Sequence, residues 1–156
     1  MRVLFVCTGN TCRSPLAEAM ARRMIAARGL DITVSSAGTG AVGGAPASDG
    51  SLLVGLERDL DLSTHRARAL TRELVREADL VLCMDTHHAE RAEDLDGDGK
   101  TFLLTDHAAG RAVGRGIDDP YGGAVEGYRR MADDVERELA RVLDRLAGEQ
   151  STRRSE

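Results

Sequence analysis

Apolar residues recur along the chain in two rhythms. Short continuous runs, Arg2 to Val6 (RVLFV), Ile32 to Ser36 (ITVSS), Asp79 to Met84 (DLVLCM) and Thr101 to Leu104 (TFLL), predict four buried strands. Between them lie stretches with helical spacing. One runs from Ser14 to about Arg28, with Ser14 as cap, Pro15 in the first helical position and Gly29 as the stop. A second, Ser48 to Asp59, carries Leu52, Leu53 and Leu56 on one face. A short helix follows the cap Thr71, and another lies near Thr86 to Asp94. The clearest spans about Ala124 to Leu146, where Tyr128, Met131, Val135, Leu139, Val142 and Leu146 repeat every three or four residues. Thr105 to Gly123 is expected to be a loop, and residues 148–156 a flexible tail after a single domain over residues 1–147. Strands alternating with helices predict an α/β fold: a parallel sheet with helices on both faces and ligands at the carboxyl ends of its strands.

That rule draws attention to the turn between the first strand and the first helix, VCTGNTCRSP from Val6 to Pro15. A helix N-terminus presents unpaired N–H groups and a partial positive charge, and Gly9 with Asn10 permits the left-handed backbone that a closed anion nest requires. Thr8, Gly9, Asn10, Thr11, Cys12 and Arg13 therefore read as a cradle for a phosphate-like group, to which Arg13 adds a planar cationic fork. Cys7, facing the same field, is favoured as thiolate and becomes a nucleophile beneath the bound phosphorus.

Attack by a thiolate also needs a proton donor on the far side of the leaving atom. Asp118-Asp119-Pro120 supplies a candidate. The proline holds Asp119 in extended geometry on a loop, and the neighbouring Asp118 together with the anionic substrate favours its protonated form. Cys12 lies five residues from Cys7 and reads either as a packing residue or as a redox partner able to capture an oxidised Cys7. Cys83, in an apolar strand, reads as core.

Composition narrows the classes further. A 42% apolar content suffices for one core in 156 residues, but two Phe, two Tyr and no Trp cannot build a site with several aromatic walls. The net charge of −5, with both signs interspersed, provides no basic stripe for nucleic acid. No stretch reaches membrane-spanning length and no signal-peptide apolar region precedes the first motif, so a cytoplasmic monomer without a membrane partner is expected. Three cysteines, an odd count, point to thiol chemistry rather than a disulfide framework.

Four segments, CTGNTCRSP at Cys7 to Pro15, SAGT at Ser36 to Thr39, LVLCMD at Leu80 to Asp85 and DDPYGG at Asp118 to Gly123, resemble the low-molecular-weight protein tyrosine phosphatase family over essentially the whole chain. The resemblance implies a flavodoxin-like, four-stranded parallel sheet and a cysteinyl-phosphate intermediate formed on phosphorylated protein substrates, without metal or other cofactor. It makes Cys7 the nucleophile, Arg13 the phosphate-binding arginine and Asp119 the general acid. It also makes Asn10, Ser14, Ser36 and His65 the residues that hydrogen-bond to one another and hold the loop and thiolate. From the residues alone, His65 in the polar run STHRAR reads equally well as a solvent-facing side chain.

Two features bear on the substrate. Tyrosine-specific members carry aromatic residues after SAG and after the DP pair, whereas here the first loop is TGAVGGAPAS and Tyr121 stands alone after Pro120. Thr11 resembles the protein arginine phosphatase branch, and its hydroxyl suits a guanidinium better than an aliphatic side chain would. Phosphoarginine is therefore the favoured substrate and phosphotyrosine the alternative. An arsenate reductase relay fails because Cys83 is followed seven residues later by Glu90. A calcium loop beginning at Asp94 fails because its twelfth position is Thr105. Cys83, Asp85, His87 and His88 are not expected to form a metal site, and a non-catalytic phosphate-binding module would need neither Cys7 nor Asp119.

Overall fold

Side chains of the first strand, β1 (Arg2–Cys7), point alternately to two cores, and that alternation organises the molecule. Val3, Phe5 and Cys7 face one core, Leu4 and Val6 the other, as period-two geometry requires of a strand buried on both sides. The computed structural model describes residues 1–155. β1 pairs in parallel with β2 (Thr33–Gly38) and β3 (Leu80–Cys83), and β3 with β4 (Thr101–Leu103), giving the all-parallel order β2-β1-β3-β4. The fold class is thus the one expected, with strand ends shifted by one or two residues.

One face is covered by α1 (Arg13–Arg28), α2 (Asp49–Leu56), α5 (Leu104–Ala109) and α6 (Val125–Ser155). The other is covered by α3 (Arg72–Glu77) and α4 (Thr86–Ala92), with Val75, Ala92 and Leu95 packed on Leu4, Val6, Val81 and Cys83. Thr71 caps α3 as expected, accepting from Leu74 N. Gly29 closes α1 at φ 62°, and Leu30 N returns to Ile25 O.

Several expectations are corrected. Ser14 is not a helix cap: α1 begins at Arg13, its cap position is Cys12, and the Cys12 side chain makes no capping bond. The stripe Leu52, Leu53, Leu56 does not face the core as a unit. Leu53 and Leu56 are exposed, because α2 approaches α6 through Gly50, which lies against the Tyr128 ring, and buries Ser51, Val54 and Gly55. The expected loop over Thr105 to Gly123 contains α5, a single short helix ended by Gly110 at φ 70°. After α4 the chain forms a wider π-helical turn, Glu93–Gly97, in which Asp96 adopts φ 75° and pairs with Arg72 and Arg76. The acidic run is thus a turn tied to α3. The terminal helix buries all six residues of the predicted stripe but continues to Ser155, so the expected tail is helical as far as that residue, and Glu156 lies outside the described residues.

Beneath the β1–α1 turn, the end of β2 passes very close. A Cβ on Gly38 would sit 2.8 Å from Asn10 N and collide with the Thr8 carbonyl. Thr39 N donates to Cys7 O and Gly40 N to Thr8 O, so the second strand carries the loop on its back.

Candidate functional site

Cys7 ends β1 at the floor of a cleft of about 330 Å³ that opens at the carboxyl ends of the strands. Thr8, Gly9, Thr11, Cys12 and Arg13 line it from the loop, and Asp119 and Tyr121 from the segment before α6. Gly40, Val42 and Ala45, from the loop after β2, complete the wall. A groove of about 480 Å³ at the opposite end of the sheet, near Phe102 and Arg145, has no cysteine in its lining.

Asn10 makes the loop possible. It sits at φ 55°, the left-handed conformation that asparagine tolerates better than most residues. Its side chain is fully buried and spends every polar atom: Nδ2 donates to Ser14 Oγ at 2.8 Å and Ser36 Oγ at 2.9 Å, while Oδ1 accepts from Arg68 N at 3.0 Å. His65 Nε2 donates to Asn10 O at 2.7 Å, which locks the peptide that turns. Asn10, Ser14, Ser36 and His65 are therefore brought together as one support.

The direction of these bonds decides what reaches the thiol. Because Ser14 Oγ accepts from Asn10, its own hydrogen is free to donate to Cys7 Sγ, 3.0 Å away. A buried donor aimed at sulfur stabilises a thiolate. Ser36 Oγ, also accepting from Asn10, passes its hydrogen to Glu18 Oε1 at 2.7 Å. Cys12 Sγ donates to Ser48 Oγ at 3.1 Å and lies 3.7 Å from Tyr128 Oη.

Arg13 is 3% exposed, a heavily desolvated cation. Its Nη1 donates to Ile117 O at 2.9 Å and its Nη2 meets Asp119 Oδ2 at 3.5 Å, whereas buried Nε has no partner among the described residues. A buried N–H is costly to leave unpaired, and a tetrahedral oxyanion bound in the cleft would satisfy it. Asp119 Oδ1 accepts from Tyr121 N at 3.1 Å, an Asx turn that holds the carboxylate half-exposed at the cleft mouth. Asp118 makes no such contact with Arg13. The set can therefore bind an oxyanion, attack it through sulfur and protonate what leaves.

Three supporting residues escaped the sequence reading. Glu18 follows Ser14 by one helical turn, a usable signal, but its partner Ser36 is on β2. Arg68, whose Nε donates to Ser36 O at 3.0 Å, carried no signal beyond its charge. His88, considered only as a metal ligand, is completely buried; its Nε2 meets Thr8 Oγ1 at 2.8 Å and its Nδ1 accepts from Asp85 N at 3.0 Å. Both ring nitrogens are thus engaged within the protein.

Burial, reinforced by His87 and Arg13 and opposed by Asp85 and Asp119, pushes the His88 imidazole down to about 4. The unfolded chain takes up this proton near pH 6.5, so the contribution of His88 to stability is full above 6.5 and lost as pH falls to about 4. A shift of this size corresponds to about 3 kcal/mol. His88→Asn, which cannot titrate, should lose about 2 to 3 kcal/mol less than the wild type between pH 7 and pH 4 in urea unfolding. Equal acid losses in the two proteins would refute the assignment.

Comparison with known proteins places this geometry. The family model described as low molecular weight phosphotyrosine protein phosphatase matches residues 2–152. A protein-arginine-phosphatase of Bacillus subtilis (strain 168) is 35% identical over 148 residues, 94% of this chain and 97% of the relative. The low molecular weight protein-tyrosine-phosphatase PtpB of Staphylococcus haemolyticus is 37% identical over 136 residues, 86% of this chain and 92% of the relative. Among solved structures, the YwlE arginine phosphatase in the form of a C7S mutant with a phosphorylated active-site serine superposes with a TM-score of 0.89 at 34% identity, covering 94% of this chain and 96% of that one.

Proposed function

Because this chain belongs to the low molecular weight phosphotyrosine protein phosphatase family and is a cysteine-based hydrolase, we propose that it removes phosphoryl groups from arginine side chains of proteins, with Cys7, Arg13 and Asp119 as its catalytic residues. The observation that carries the mechanism is the convergence on one cleft of a thiol bonded to Ser14, an arginine with an unpaired buried Nε, and Asp119 at the mouth. Cys7 as thiolate attacks phosphorus while the backbone N–H groups of Thr8 to Arg13 and the Arg13 fork hold the oxyanion. The P–N bond breaks, Asp119 delivers its proton to the departing nitrogen, and a cysteinyl-phosphate remains on Sγ. Water then attacks phosphorus and gives its proton to Asp119. The P–S bond breaks, and inorganic phosphate and the Cys7 thiolate are released.

Thr11 supports the choice of arginine. It is half-buried in the cleft wall, and its hydroxyl is available to a guanidinium, where an aliphatic residue would offer none. Only Tyr121, 75% exposed, supplies an aromatic face, too little to sandwich a phenyl ring. The similarity to a protein-arginine-phosphatase supports the same preference. Phosphotyrosine is the second reading, favoured by the comparable likeness to PtpB.

Steady-state hydrolysis of matched phosphoarginine and phosphotyrosine peptides tests this. The wild type should prefer phosphoarginine, and Thr11→Ile should move the kcat/KM ratio toward phosphotyrosine by about 10- to 100-fold. A wild type that prefers phosphotyrosine and is indifferent to Thr11→Ile sinks the arginine reading. Cys12 is proposed as a redox partner of Cys7, and the protein as a cytoplasmic monomer. No helix among the described residues is long and apolar enough to cross a membrane.

A further inference from the structure

We infer that His88 is a positioning residue for this site, fastening Thr8, the first residue of the phosphate cradle, through its hydroxyl to the same turn that carries the acid loop. The inference rests on the phosphatase reading above and deepens it.

The hydrogen-bond logic of His88 leaves one arrangement. A backbone N–H can only donate, so the bond from Asp85 N requires a lone pair on Nδ1, and the hydrogen of the neutral ring sits on Nε2. Nε2 therefore donates to Thr8 Oγ1, 80 residues away in the chain. Thr8 immediately follows Cys7 and is exposed in the cleft wall. Its carbonyl is held by Gly40 N at 2.9 Å and its side chain by His88, so Thr8 is gripped from the β2 side and from α4 at once. Without the second grip, an exposed threonine at the start of a ligand-binding loop would be free to rotate.

The other end of the linkage explains why α4 supplies this grip. Met84 O, just before α4, accepts from Ile117 N at 2.8 Å, and the Asp85 carboxylate lies where a Cβ on Gly116 would approach it to 2.9 Å. Ile117 in turn accepts from Arg13 Nη1 through its carbonyl, two residues before Asp119. The Met84–Asp85 turn is thus a common footing for both halves of the site. His88 ties the cradle to it, and the 116–117 backbone ties the acid loop to it. Their relative position determines whether phosphorus lies in line between Cys7 Sγ and Asp119.

Thr8→Val removes the acceptor while conserving shape, at an exposed position that no core residue packs around. Orthovanadate, an oxyanion that takes the place of phosphate, is titrated calorimetrically into the wild type, Thr8→Val, His88→Ala, the double variant and His88→Asn. The single variants should each bind about 5- to 10-fold more weakly, and the double variant no more weakly than either. His88→Asn, whose amide can accept from Asp85 N and donate toward Thr8, should bind within about twofold of the wild type. Thr8→Val should stay folded, with a thermal midpoint lowered by no more than about 2 to 8 °C for the unpaired His88 Nε2–H, while its kcat on the preferred peptide falls with its vanadate affinity. Wild-type affinity in Thr8→Val, or losses that multiply in the double variant, would overturn the inference and leave the phosphatase reading standing. A wild type that does not bind vanadate at all overturns both.

Discussion

Replacing Cys7 by serine is expected to lower kcat on any phosphorylated substrate by at least about 10⁴-fold while leaving substrate binding nearly intact. Among the described residues, the side-chain hydrogen-bond partner of Cys7 Sγ is Ser14 Oγ, which points a donor at it. Donation stabilises a thiolate, which needs no base. A serine hydroxyl in the same place needs one, and neither imidazole nor carboxylate is bonded to it. The cradle and Arg13 are unchanged by the substitution, so affinity for phosphate should persist. Any serine that does become phosphorylated should stay so, because an alkoxide leaves phosphorus far less readily than a thiolate; the similar YwlE structure bears such a phosphorylated serine. Single-turnover kinetics and intact-protein mass spectrometry check both halves. Sustained turnover by Cys7→Ser would mean that another group attacks phosphorus.

Asp119→Asn is expected to lower kcat on phosphoarginine or phosphotyrosine peptides by about 10²- to 10⁴-fold and to affect p-nitrophenyl phosphate far less. The distinction lies in the leaving group. A guanidine nitrogen or an ordinary phenolate departs only with a proton, whereas nitrophenolate is stable without one. Asparagine preserves the oxygen that accepts from Tyr121 N, so the loop should keep its shape. It also removes the carboxylate that competes for Arg13 Nη2, so oxyanion affinity should rise severalfold. A uniform loss across good and poor leaving groups would reassign Asp119 from proton donor to a structural partner of Arg13.

What could be read from the sequence was chiefly what is local. The strand-to-helix turn at Cys7 to Arg13 places its chemistry within seven consecutive residues, and helical period alone brings the six stripe residues of α6 into the core. Where neighbours in space are far apart in the chain, the sequence offered less. The turning-out of Leu53 and Leu56 depends on how closely Gly50 lets α2 approach Tyr128, a contact spanning 78 residues. Ser14 looked like a cap because serine before proline usually is one. Here a buried asparagine and a thiol claim its hydroxyl instead, and the Cys12 side chain at the cap position makes no capping bond. His88 could not be distinguished from its neighbour His87 until α4 turned one inward and left the other at the surface.

Gly38 places a further demand on the chain, at a position outside the lining of the cleft. The end of β2 runs so close under the loop from Thr8 to Arg13 that even a methyl group would strike the Asn10 amide and the Thr8 carbonyl. The room available to an enzyme designer is therefore unequal around this cleft. The outer wall at Val42 and Tyr121 is open to wholesale redesign for new substrates, since both side chains stand three-quarters in solvent. The floor admits no such freedom: at position 38 the substrate's binding site is shaped by the hydrogen atom that stands where every other amino acid would put a carbon.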